Sequence, residues 1–193
     1  MPADEIEAKL RVTDPAALRR RLAAAGLEAR DTVFEVNRLF DFADGRLRRG
    51  GSALRVREEY RDSGGALLGT RLTYKGPLAE GPLKRRPEAE LRVEAAGPLL
   101  DVFAALGLAE TFRYEKRRTP FTGGPCEVVL DDLPGLGHFM EIEGSTEESV
   151  TAELARLGLA EAPTIRTDYV HLLIAHLEGA GRDLTRAVFD DAG

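Results

Sequence analysis

The sequence is poor in sulfur and in aromatic groups. It contains one cysteine, Cys126, so a disulfide within the chain is excluded and a reducing, cytoplasmic setting is expected. Cys126 follows Gly-Gly-Pro at a predicted turn, and no neighbouring residue marks it as a nucleophile. Tryptophan is absent and aromatic residues make up 6% of the chain, so no obvious stacking platform for a nucleobase stands out.

Long apolar runs and a basic leader are also lacking. No run approaches the roughly 20 apolar residues that a membrane helix needs. The sequence begins with acidic residues at Asp4 and Glu5, without the basic and apolar regions of a signal peptide. We therefore expect a cytoplasmic protein with no membrane partner.

Basic charge is scarce except in one segment. The net charge is −6, which argues against nucleic acid as a partner. Residues 46–92 nevertheless contain 12 Lys and Arg against 6 Asp and Glu. This segment predicts either a local anion site or a solvated basic loop. At its start, residues 45–51 predict a mobile hairpin suited to covering a substrate.

An internal repeat indicates one domain built from two similar halves. Residues 7–27 and 88–108 align without a gap, and ten of the 21 positions are identical. Each copy predicts a strand and then a helix, opened by Pro15 in the first copy and by Pro98 in the second. We expect a single domain over residues 1–180. The remaining residues, 181–193, show no strong pattern and predict a C-terminal tail.

Strand patterns dominate the rest of the chain. Two further helices are predicted, at residues 150–157 after a capping box from Ser145 to Glu148, and at residues 164–177. Turn signals and alternation predict eight strands, at residues 4–12, 33–42, 53–61, 67–76, 87–95, 112–119, 126–132 and 138–144.

Charged side chains fall on one face of most of these strands. In the first strand Glu5, Glu7 and Lys9 share a face, and Ile6 and Ala8 share the other. An ordinary sheet with its charged face in water is one interpretation. The recurring doublets of one sign favour another, because carboxylate pairs imply a metal cation and paired bases imply an anion. If the sheet curls on itself, the charged face lines a tunnel and the helices cover the apolar outside.

Short motifs across the chain resemble the conserved segments of a known protein family. The opening Glu5-Ile-Glu-Ala-Lys9 resembles the E-x-E-x-K start of the CYTH superfamily, the triphosphate tunnel metalloenzymes. That family joins class IV adenylyl cyclases, thiamine triphosphatases and inorganic triphosphatases. Further resemblances follow in order over residues 4–175, at Leu54–Arg57, Leu72–Pro77, Arg86–Glu90, Lys116–Arg118, Val129–Glu143 and Tyr169–Leu173. The resemblance implies an α+β fold with an eight-stranded antiparallel barrel, a charged interior and helices packed outside.

The resemblance also implies roles for particular residues. The expected cofactor is Mg²⁺ or Mn²⁺, as one or two ions, since hard oxygen ligands suit both metals. The metal ligands would be Glu5, Glu7, Asp131, Glu141 and Glu143. The side chains that clamp the triphosphate would be Lys9, Arg55, Arg57, Lys75, Arg86, Lys116 and Arg118. Among these, Lys9, Arg57 and Lys75 are the expected catalytic residues. Glu88 and Glu90 would support the clamp, by ordering its bases or completing the metal shell.

Three functions fit this site. The segments at residues 72–77 and 131–137 look most like the class IV adenylyl cyclase subgroup, which predicts conversion of ATP to cyclic AMP and pyrophosphate. The alternative is a triphosphatase acting on inorganic triphosphate, thiamine triphosphate or a nucleoside triphosphate. A third possibility is a module that binds polyphosphate or triphosphate without cleaving it. The expected partner is a small-molecule triphosphate, and both a monomer and a homodimer are compatible with the sequence.

Overall fold

The computed structural model describes residues 3–81 and 83–190, with side chains from residue 6 onward. None of the helices in these ranges is long and apolar enough to cross a membrane. The elements are β1 (Ala3–Val12), α1 (Pro15–Ala24), β2 (Glu28–Ala29), β3 (Val33–Phe42), α2 (Arg46–Arg49), β4 (Ala53–Tyr60), β5 (Leu67–Lys75), β6 (Lys84–Val93), α3 (Ala96–Ala105), β7 (Leu108–Thr122), β8 (Glu127–Leu133), β9 (Gly137–Gly144), α4 (Glu147–Arg156), α5 (Tyr169–Gly179) and β10 (Arg186–Ala187).

Eight of the strands close into an antiparallel barrel. Their order is β7, β3, β4, β5, β6, β1, β9 and β8, and β8 pairs back with β7. The short strands β2 and β10 also pair with β7, β2 beyond the residues that pair with β3 and β10 beyond the residues that pair with β8. The predicted fold class, an eight-stranded antiparallel barrel with helices around it, is confirmed. Both copies of the internal repeat form the predicted strand and helix, β1 with α1 and β6 with α3.

The apolar face of the strands packs outward under the helices, as the alternation predicts. Ile6 and Leu10 of β1 are buried in one cluster with Leu22 of α1 and Leu154 of α4. A second cluster lies beneath α3, where the rings of Phe40 and Phe103 meet at 5.0 Å. With the apolar residues directed to these helices, the alternate, charged residues of the same strands must face the barrel interior.

Helix α5 lies across one end of the barrel instead of along its wall. Phe112 of β7 and Phe139 of β9 belong to the inward-facing sets of their strands, and both are buried in one cluster with Leu173 and Leu177 of α5. The Tyr169 ring lies edge-on to Phe139 with its centroid 5.4 Å away. Apolar inward residues therefore mark the end of the barrel that α5 covers, which is called the α5 end below.

Two predicted helix starts, those of α3 and α4, differ from the structure. Helix α4 starts at Glu147 with Thr146 as its N-cap, and the reciprocal capping partner is Ser149, so the predicted Ser145–Glu148 box is wrong by one residue. Helix α3 starts at Ala96, two residues before Pro98. Both errors arise because Ser, Thr and Pro near a helix start compete for adjacent capping positions, which only the surrounding contacts decide.

The last predicted helix is shorter than the sequence pattern indicated. Residues 164–168 are not helical, because the Asp168 carboxylate caps the first turn by accepting a hydrogen bond from the His171 N–H. The preceding residues run along β1 instead, where the Ile165 N–H donates to the Lys9 carbonyl. The prediction at 164–177 included this segment in the apolar stripe because Ile165 is apolar; in the structure Ile165 is partly buried against the α5 cluster.

Two strands extend further than predicted. β6 begins at Lys84 instead of residue 87, and β7 runs from Leu108 to Thr122 instead of covering residues 112–119. The predicted strands begin at Pro87 and end just before Pro120, yet the carbonyl groups of both prolines accept backbone hydrogen bonds, from the Gly76 and Arg30 N–H groups. Proline lacks the backbone N–H donor but keeps its carbonyl acceptor. Each of these prolines is therefore tolerated at a strand position where only its carbonyl takes part in hydrogen bonding between strands.

The segment predicted as a tail is packed against the barrel as far as the structure describes it. Residues 182–190, the C-terminal strap, include β10, which pairs in parallel with β7. Ala187 is buried, and the Phe189 N–H donates to the Glu115 carboxylate at 2.9 Å. The Phe189 ring also lies under the Arg117 guanidinium, 3.7 Å from its carbon.

The basic hairpin at residues 45–51 contains the short helix α2. The Asp41 carboxylate accepts backbone hydrogen bonds from Leu47 and Arg48 at 3.0 Å each, which holds this turn against the end of β3. Burial alone would raise the pKa of Asp41, but these backbone donors outweigh it and lower the pKa. The carboxylate therefore stays ionised and keeps the basic turn at the rim of the barrel.

Candidate functional site

A cavity of about 1130 Å³ runs inside the barrel. All eight barrel strands contribute inward side chains to its wall. Of the predicted site residues with described side chains, twelve line it: Glu7, Lys9, Arg55, Arg57, Lys75, Arg86, Glu88, Glu90, Lys116, Arg118, Glu141 and Glu143. Glu5 lies outside the described side chains. Asp131 is fully buried beneath Lys116, Arg118 and Tyr169, which line the cavity in front of it.

Lys9 sits between two carboxylates on neighbouring strands. Its Nζ is 3.3 Å from Glu7 on β1 and 3.3 Å from Glu141 on β9, and it donates to the Thr167 carbonyl at 3.2 Å. The Tyr169 ring centroid lies 4.2 Å from the same nitrogen. Burial alone would lower the pKa of Lys9, but Glu141 and Glu7 outweigh it and raise the pKa. The ammonium group is therefore retained although the side chain is almost fully buried.

Glu35 on β3 occupies the middle of the basic cluster, and the sequence analysis missed it. It is fully buried, with Arg57 Nε at 3.2 Å, Lys116 Nζ at 3.3 Å and Arg118 Nε at 3.7 Å. Burial raises the pKa of this carboxyl, yet Arg57, Lys116 and Arg118 together hold the pKa far below its ordinary value. Glu35 therefore remains ionised, and its carboxylate holds Arg57, Lys116 and Arg118 around one point inside the barrel. The sequence did contain a signal for Glu35: it shares one face of the correctly predicted strand 33–42 with Asn37, and both are polar.

Asp131 orients two of the predicted clamp residues. Its carboxylate accepts hydrogen bonds from Arg118 Nε at 2.8 Å and Arg118 Nη2 at 2.7 Å, from Lys116 Nζ at 3.2 Å, and from the Tyr169 hydroxyl at 3.0 Å. A bidentate pair of this kind fixes the plane of the guanidinium group. These bonds involve both carboxylate oxygens, and the role of Asp131 as a metal ligand stays a prediction.

Lys116 and Arg118 are charged to different degrees. Burial first, and then the neighbouring Arg118, lower the pKa of Lys116 to about 8, against the opposing effects of Asp131 and Glu35. Burial also acts to lower the pKa of Arg118, but Asp131 and Glu35 raise it well above its ordinary value. Arg118 is thus a fixed cation, while the pKa of Lys116 is closer to neutral pH than that of an ordinary lysine. An arriving anion would favour the charged form of Lys116.

The wall formed by β4, β5 and β6 carries bases that are each held by a neighbour. Arg57 Nε donates to the Asn37 side chain at 3.0 Å, and Arg55 Nη2 donates to Thr73 at 3.2 Å. Lys75 pairs with Glu88 at 2.5 Å and Arg71 pairs with Glu90 at 2.7 Å. Glu88 and Glu90 therefore each contact a base of this wall, and their supporting roles stay a prediction. Arg71 was not among the predicted site residues.

Carboxylates gather on the opposite wall, where β1, β9 and β8 meet. Glu7 and Glu143 are cross-strand partners, and Glu143 is in turn opposite Glu127. Lys84 of β6, which the sequence analysis did not single out, pairs with Glu7 at 2.7 Å. Because these side chains supply hard oxygen donors on adjacent strands, their chemistry fits Mg²⁺ or Mn²⁺. Among the described side chains, no three His, Cys, Asp or Glu residues are already grouped as a metal site.

Glu141 connects this acidic wall to the basic cluster. One carboxylate oxygen is 3.3 Å from Lys9 Nζ, and the other accepts a hydrogen bond from Arg118 Nη2 at 2.5 Å. Burial raises the pKa of this carboxyl, but Lys9 and then Arg118 hold the pKa well below its ordinary value. The site therefore places a permanently ionised carboxylate at the boundary between the two walls.

Comparison with known proteins gives consistent matches along the chain. A model of the CYTH domain family matches residues 3–167. A candidate adenylate cyclase of Methanocaldococcus jannaschii is 28% identical over 177 residues, which cover 87% of this chain and 97% of the relative. The solved structure of a candidate adenylate cyclase from Vibrio parahaemolyticus is 22% identical, with a TM-score of 0.75 and coverage of 90% of this chain and 99% of that chain.

A second solved structure has the same fold and a different reported activity. It is a candidate adenylyl cyclase from Hippeastrum, described as having a dominant triphosphatase activity. It is 22% identical to this chain, with a TM-score of 0.63, and the match covers 93% of this chain and 97% of that chain. At this level of identity, the two solved structures establish the shared barrel alone.

Proposed function

Because the chain belongs to the CYTH domain family, we propose that it is a metal-dependent enzyme that binds a triphosphate inside its barrel and cleaves a phosphoanhydride bond. The observation that carries this proposal is the convergence of Lys9, Lys116 and Arg118 with Glu7 and Glu141 on one cavity, by side chains from three different strands. An outer charged face exposed to water would not bring these groups within ion-pair distance of one another across the barrel.

The balance of charge in the cavity supports a metal-bound triphosphate rather than a bare polyanion. Among the described residues that line the cavity, ten are Lys or Arg and twelve are Asp or Glu. A wall with at least as many acids as bases gives no net attraction to a free triphosphate. A divalent cation bound at the acidic wall corrects this imbalance and lets the bases on the other wall contact the phosphate oxygens.

The residues have distinct expected roles in cleavage. Glu7, Glu141 and Glu143 are the proposed metal ligands, together with Glu5; a bound Mg²⁺ or Mn²⁺ supplies Lewis-acid stabilisation of phosphate oxygens. Arg118 presents a guanidinium group whose orientation is fixed by Asp131. Such a preorganised donor stabilises charge that develops on the transferred and leaving oxygens.

The other bases complete the clamp. Lys9 and Lys116 supply compact positive charge at the middle of the tunnel, while Arg55, Arg57 and Lys75 extend it along the wall formed by β4 and β5. We propose Asp131 as a positioning residue for Arg118 and Lys116, in place of its predicted role as a metal ligand. Glu35 has the same proposed role, for Arg57 and Lys116.

We favour the class IV adenylyl cyclase reaction, in which the ribose hydroxyl of ATP attacks and pyrophosphate leaves. The relative from Methanocaldococcus jannaschii is named for that activity. Hydrolysis is the second candidate, since the structural neighbour from Hippeastrum is described by its triphosphatase activity. The two reactions differ in the nucleophile and can share one clamp for the phosphates.

Product analysis tests the proposal directly. The protein is incubated with ATP, GTP, inorganic triphosphate or thiamine triphosphate, each with Mg²⁺ or Mn²⁺ and with a metal-free control. Cyclic AMP supports the cyclase, and orthophosphate supports the hydrolase. Tight binding of these compounds without any product would overturn the enzyme assignment. It would support the alternative of a module that binds a triphosphate without cleaving it.

Replacing Arg57 with alanine should raise KM and lower kcat, together reducing kcat/KM about 10- to 100-fold, because one charge-assisted bond to phosphate is lost. Steady-state kinetics on the best substrate measures this change. The control is Arg38→Ala on the neighbouring strand, where the side chain pairs with Glu58 on the outer surface at 3.0 Å. Equal kinetics in the Arg57 variant and the control would exclude Arg57 from the clamp.

A further inference from the structure

The internal repeat gives the barrel an approximate two-fold axis. Glu5 of β1 lies opposite Arg86 of β6, which is 81 positions later and is its own counterpart in the repeat. Glu35 of β3 lies opposite Lys116 of β7, which is again 81 positions later. The two halves of the barrel can therefore be compared residue by residue.

In the first half, helix α4 covers the outer face of β1 and β9. Two outward cross-strand pairs form this face: Ala8 with Ile142 and Leu10 with Met140. All four side chains are at most 4% exposed and belong to one cluster with Leu154 of α4. The apolar outer face of these two strands is thus fully covered by helices of the same chain.

Helix α4 also contacts the C-terminal end of α1. The Arg21 side chain donates to the Gly158 carbonyl at 3.1 Å, and the Ala25 carbonyl accepts a hydrogen bond from the Arg156 side chain at 2.6 Å. One helix therefore closes the groove between α1 and the face formed by β1 and β9.

The corresponding groove in the second half is open. Its outward cross-strand pairs are Ala89 with Tyr74 and Leu91 with Leu72. Tyr74 is 38% exposed and Leu91 is 55% exposed, whereas their counterparts in the first half are buried. In the described part of the chain β6 follows β5 directly, so no helix takes the place that α4 has after β9.

Helix α3 forms the other side of this open groove. Its Val102 and Leu106 correspond to Arg21 and Ala25, the residues of α1 that contact α4. They are 54% and 64% exposed, although Phe103 on the opposite side of α3 is buried against the barrel. A helix that is apolar on both sides is normally buried on both sides. The second half therefore presents an apolar surface without a cover.

The exposed side chains of Tyr74, Leu91, Val102 and Leu106 are called the α3 groove below. Four side chains of this size at about half exposure present on the order of 400 Å² of apolar surface, which is typical of an interaction site. A standard interface buries about 800 Å² of each partner, a little over half of it apolar. The α3 groove thus has the size that one protein–protein contact needs.

We infer that the α3 groove is the interface between two copies of this chain, with α3 of each copy lying on the β5–β6 face of the other. The groove is self-complementary, because the exposed stripe of α3 lies beside the exposed face that such a stripe would cover. A two-fold dimer contact requires this property. Val102 and Leu106 have the spacing of Val150 and Leu154, with which α4 covers the first half.

The charge of α3 agrees with this interface. Asp101 is the one charged residue in the sequence of α3, whereas Arg19, Arg20 and Arg21 follow one another in α1. Depletion of charge is characteristic of the core of an interface. The four described side chains of the groove lie outside the cavity wall, so the inference does not depend on the proposed function.

Sedimentation velocity over about a hundredfold range of protein concentration tests the inference. The wild-type protein should be a dimer that dissociates on dilution. Leu91→Arg and Leu106→Glu should each raise the dissociation constant more than about tenfold, because each places an unpaired charge in the contact. Leu67→Arg is the matched control, since Leu67 is 48% exposed at the far end of β5, and it should leave the dimer unchanged. Circular dichroism checks that these exposed substitutions leave the fold intact.

Mixing the two variants tests the arrangement within the dimer. In a mixed dimer one contact joins the introduced arginine to the introduced glutamate, and the other joins the original Leu91 and Leu106. The mixture should therefore dimerise more tightly than either variant alone. Failure of the mixture to do so would overturn the placement of α3 on the β5–β6 face.

Two further results would overturn the inference. One is a wild-type protein that stays monomeric at every concentration, and the other is a dimer that neither substitution weakens. A monomeric wild-type protein that binds a synthetic peptide of residues 145–158, the α4 segment, would show that the groove takes a helix from a different partner. A second copy would then be the wrong occupant.

Discussion

Replacing Arg118 with alanine should lower kcat/KM for triphosphate cleavage by about 10²- to 10³-fold. Arg118 is the base with the most fixed orientation in the tunnel, since Asp131 holds it at 2.7 and 2.8 Å and Glu141 at 2.5 Å. Loss of one preorganised donor to a developing anion typically has this effect. Steady-state kinetics with the best substrate measures the change. The kcat/KM of Arg118→Lys should lie between those of the wild-type and Arg118→Ala proteins, because lysine keeps the positive charge but cannot form a bidentate contact.

The preceding residue supplies a matched control for this variant. Arg117 lies on the same strand but faces outward, where it contacts Asp132 at 3.3 Å and the Phe189 ring. Arg117→Ala should leave kcat/KM within about twofold. Removing Arg118 also leaves buried carboxylates with fewer donors, so thermal unfolding must show that the variant is folded at the assay temperature. A folded Arg118→Ala protein with normal kinetics would contradict its place in the clamp.

The barrel could be predicted because its evidence is local and repeated. Residues two apart on a strand face the same side, so the alternation of Glu7 and Lys9 with Ile6 and Ala8 already separates inside from outside. Strand β3 was predicted with its observed bounds at 33–42. Repetition of the pattern in most of the eight predicted strands, with motifs in the family's order, then indicated closure into a tunnel.

The interior contacts could not be predicted in the same way, because they depend on register. Alternation places Asp131 and Arg118 on inward faces, but only the pairing of β7 with β8 makes them direct neighbours. That pairing uses both oxygens of Asp131 and changes its proposed role from metal ligand to positioning residue. Glu35 was missed for a related reason: its importance comes from Lys116 and Arg57, which are distant in sequence and opposite or adjacent in the sheet.

The α5 end was predicted least well, since nothing local distinguishes a helix on the barrel wall from one across its opening. Leu173 and Leu177 form an ordinary apolar stripe, and their partners Phe112 and Phe139 belong to strands far away in the chain. The strap likewise shows no regular pattern, yet β10 pairs with β7. Both elements are positioned by tertiary contacts, which override the weak local signal.

Replacing Glu141 with alanine or glutamine should reduce metal-dependent turnover by more than about 100-fold while the barrel remains folded. Removal of groups that merely support metal ligands costs 10- to 100-fold, so loss of a direct ligand should exceed that range. The carboxylate is permanently ionised, because Lys9 and Arg118 hold its pKa well below the ordinary value against the effect of burial. Activity measured across a range of Mg²⁺ and Mn²⁺ concentrations checks the expectation, and circular dichroism checks the fold.

The metal titration separates the two ways in which Glu141 can act. If it binds the metal, the variants should need much higher Mg²⁺ or Mn²⁺ for half-maximal activity, and excess metal should restore part of the rate. If it only holds Lys9 and Arg118 in place, KM for the triphosphate should rise while the metal requirement stays unchanged, and the metal assignment would be wrong. Asp132→Asn is the control, because Asp132 lies on the outer side of β8 beside Arg117 and its loss should alter neither the metal requirement nor KM.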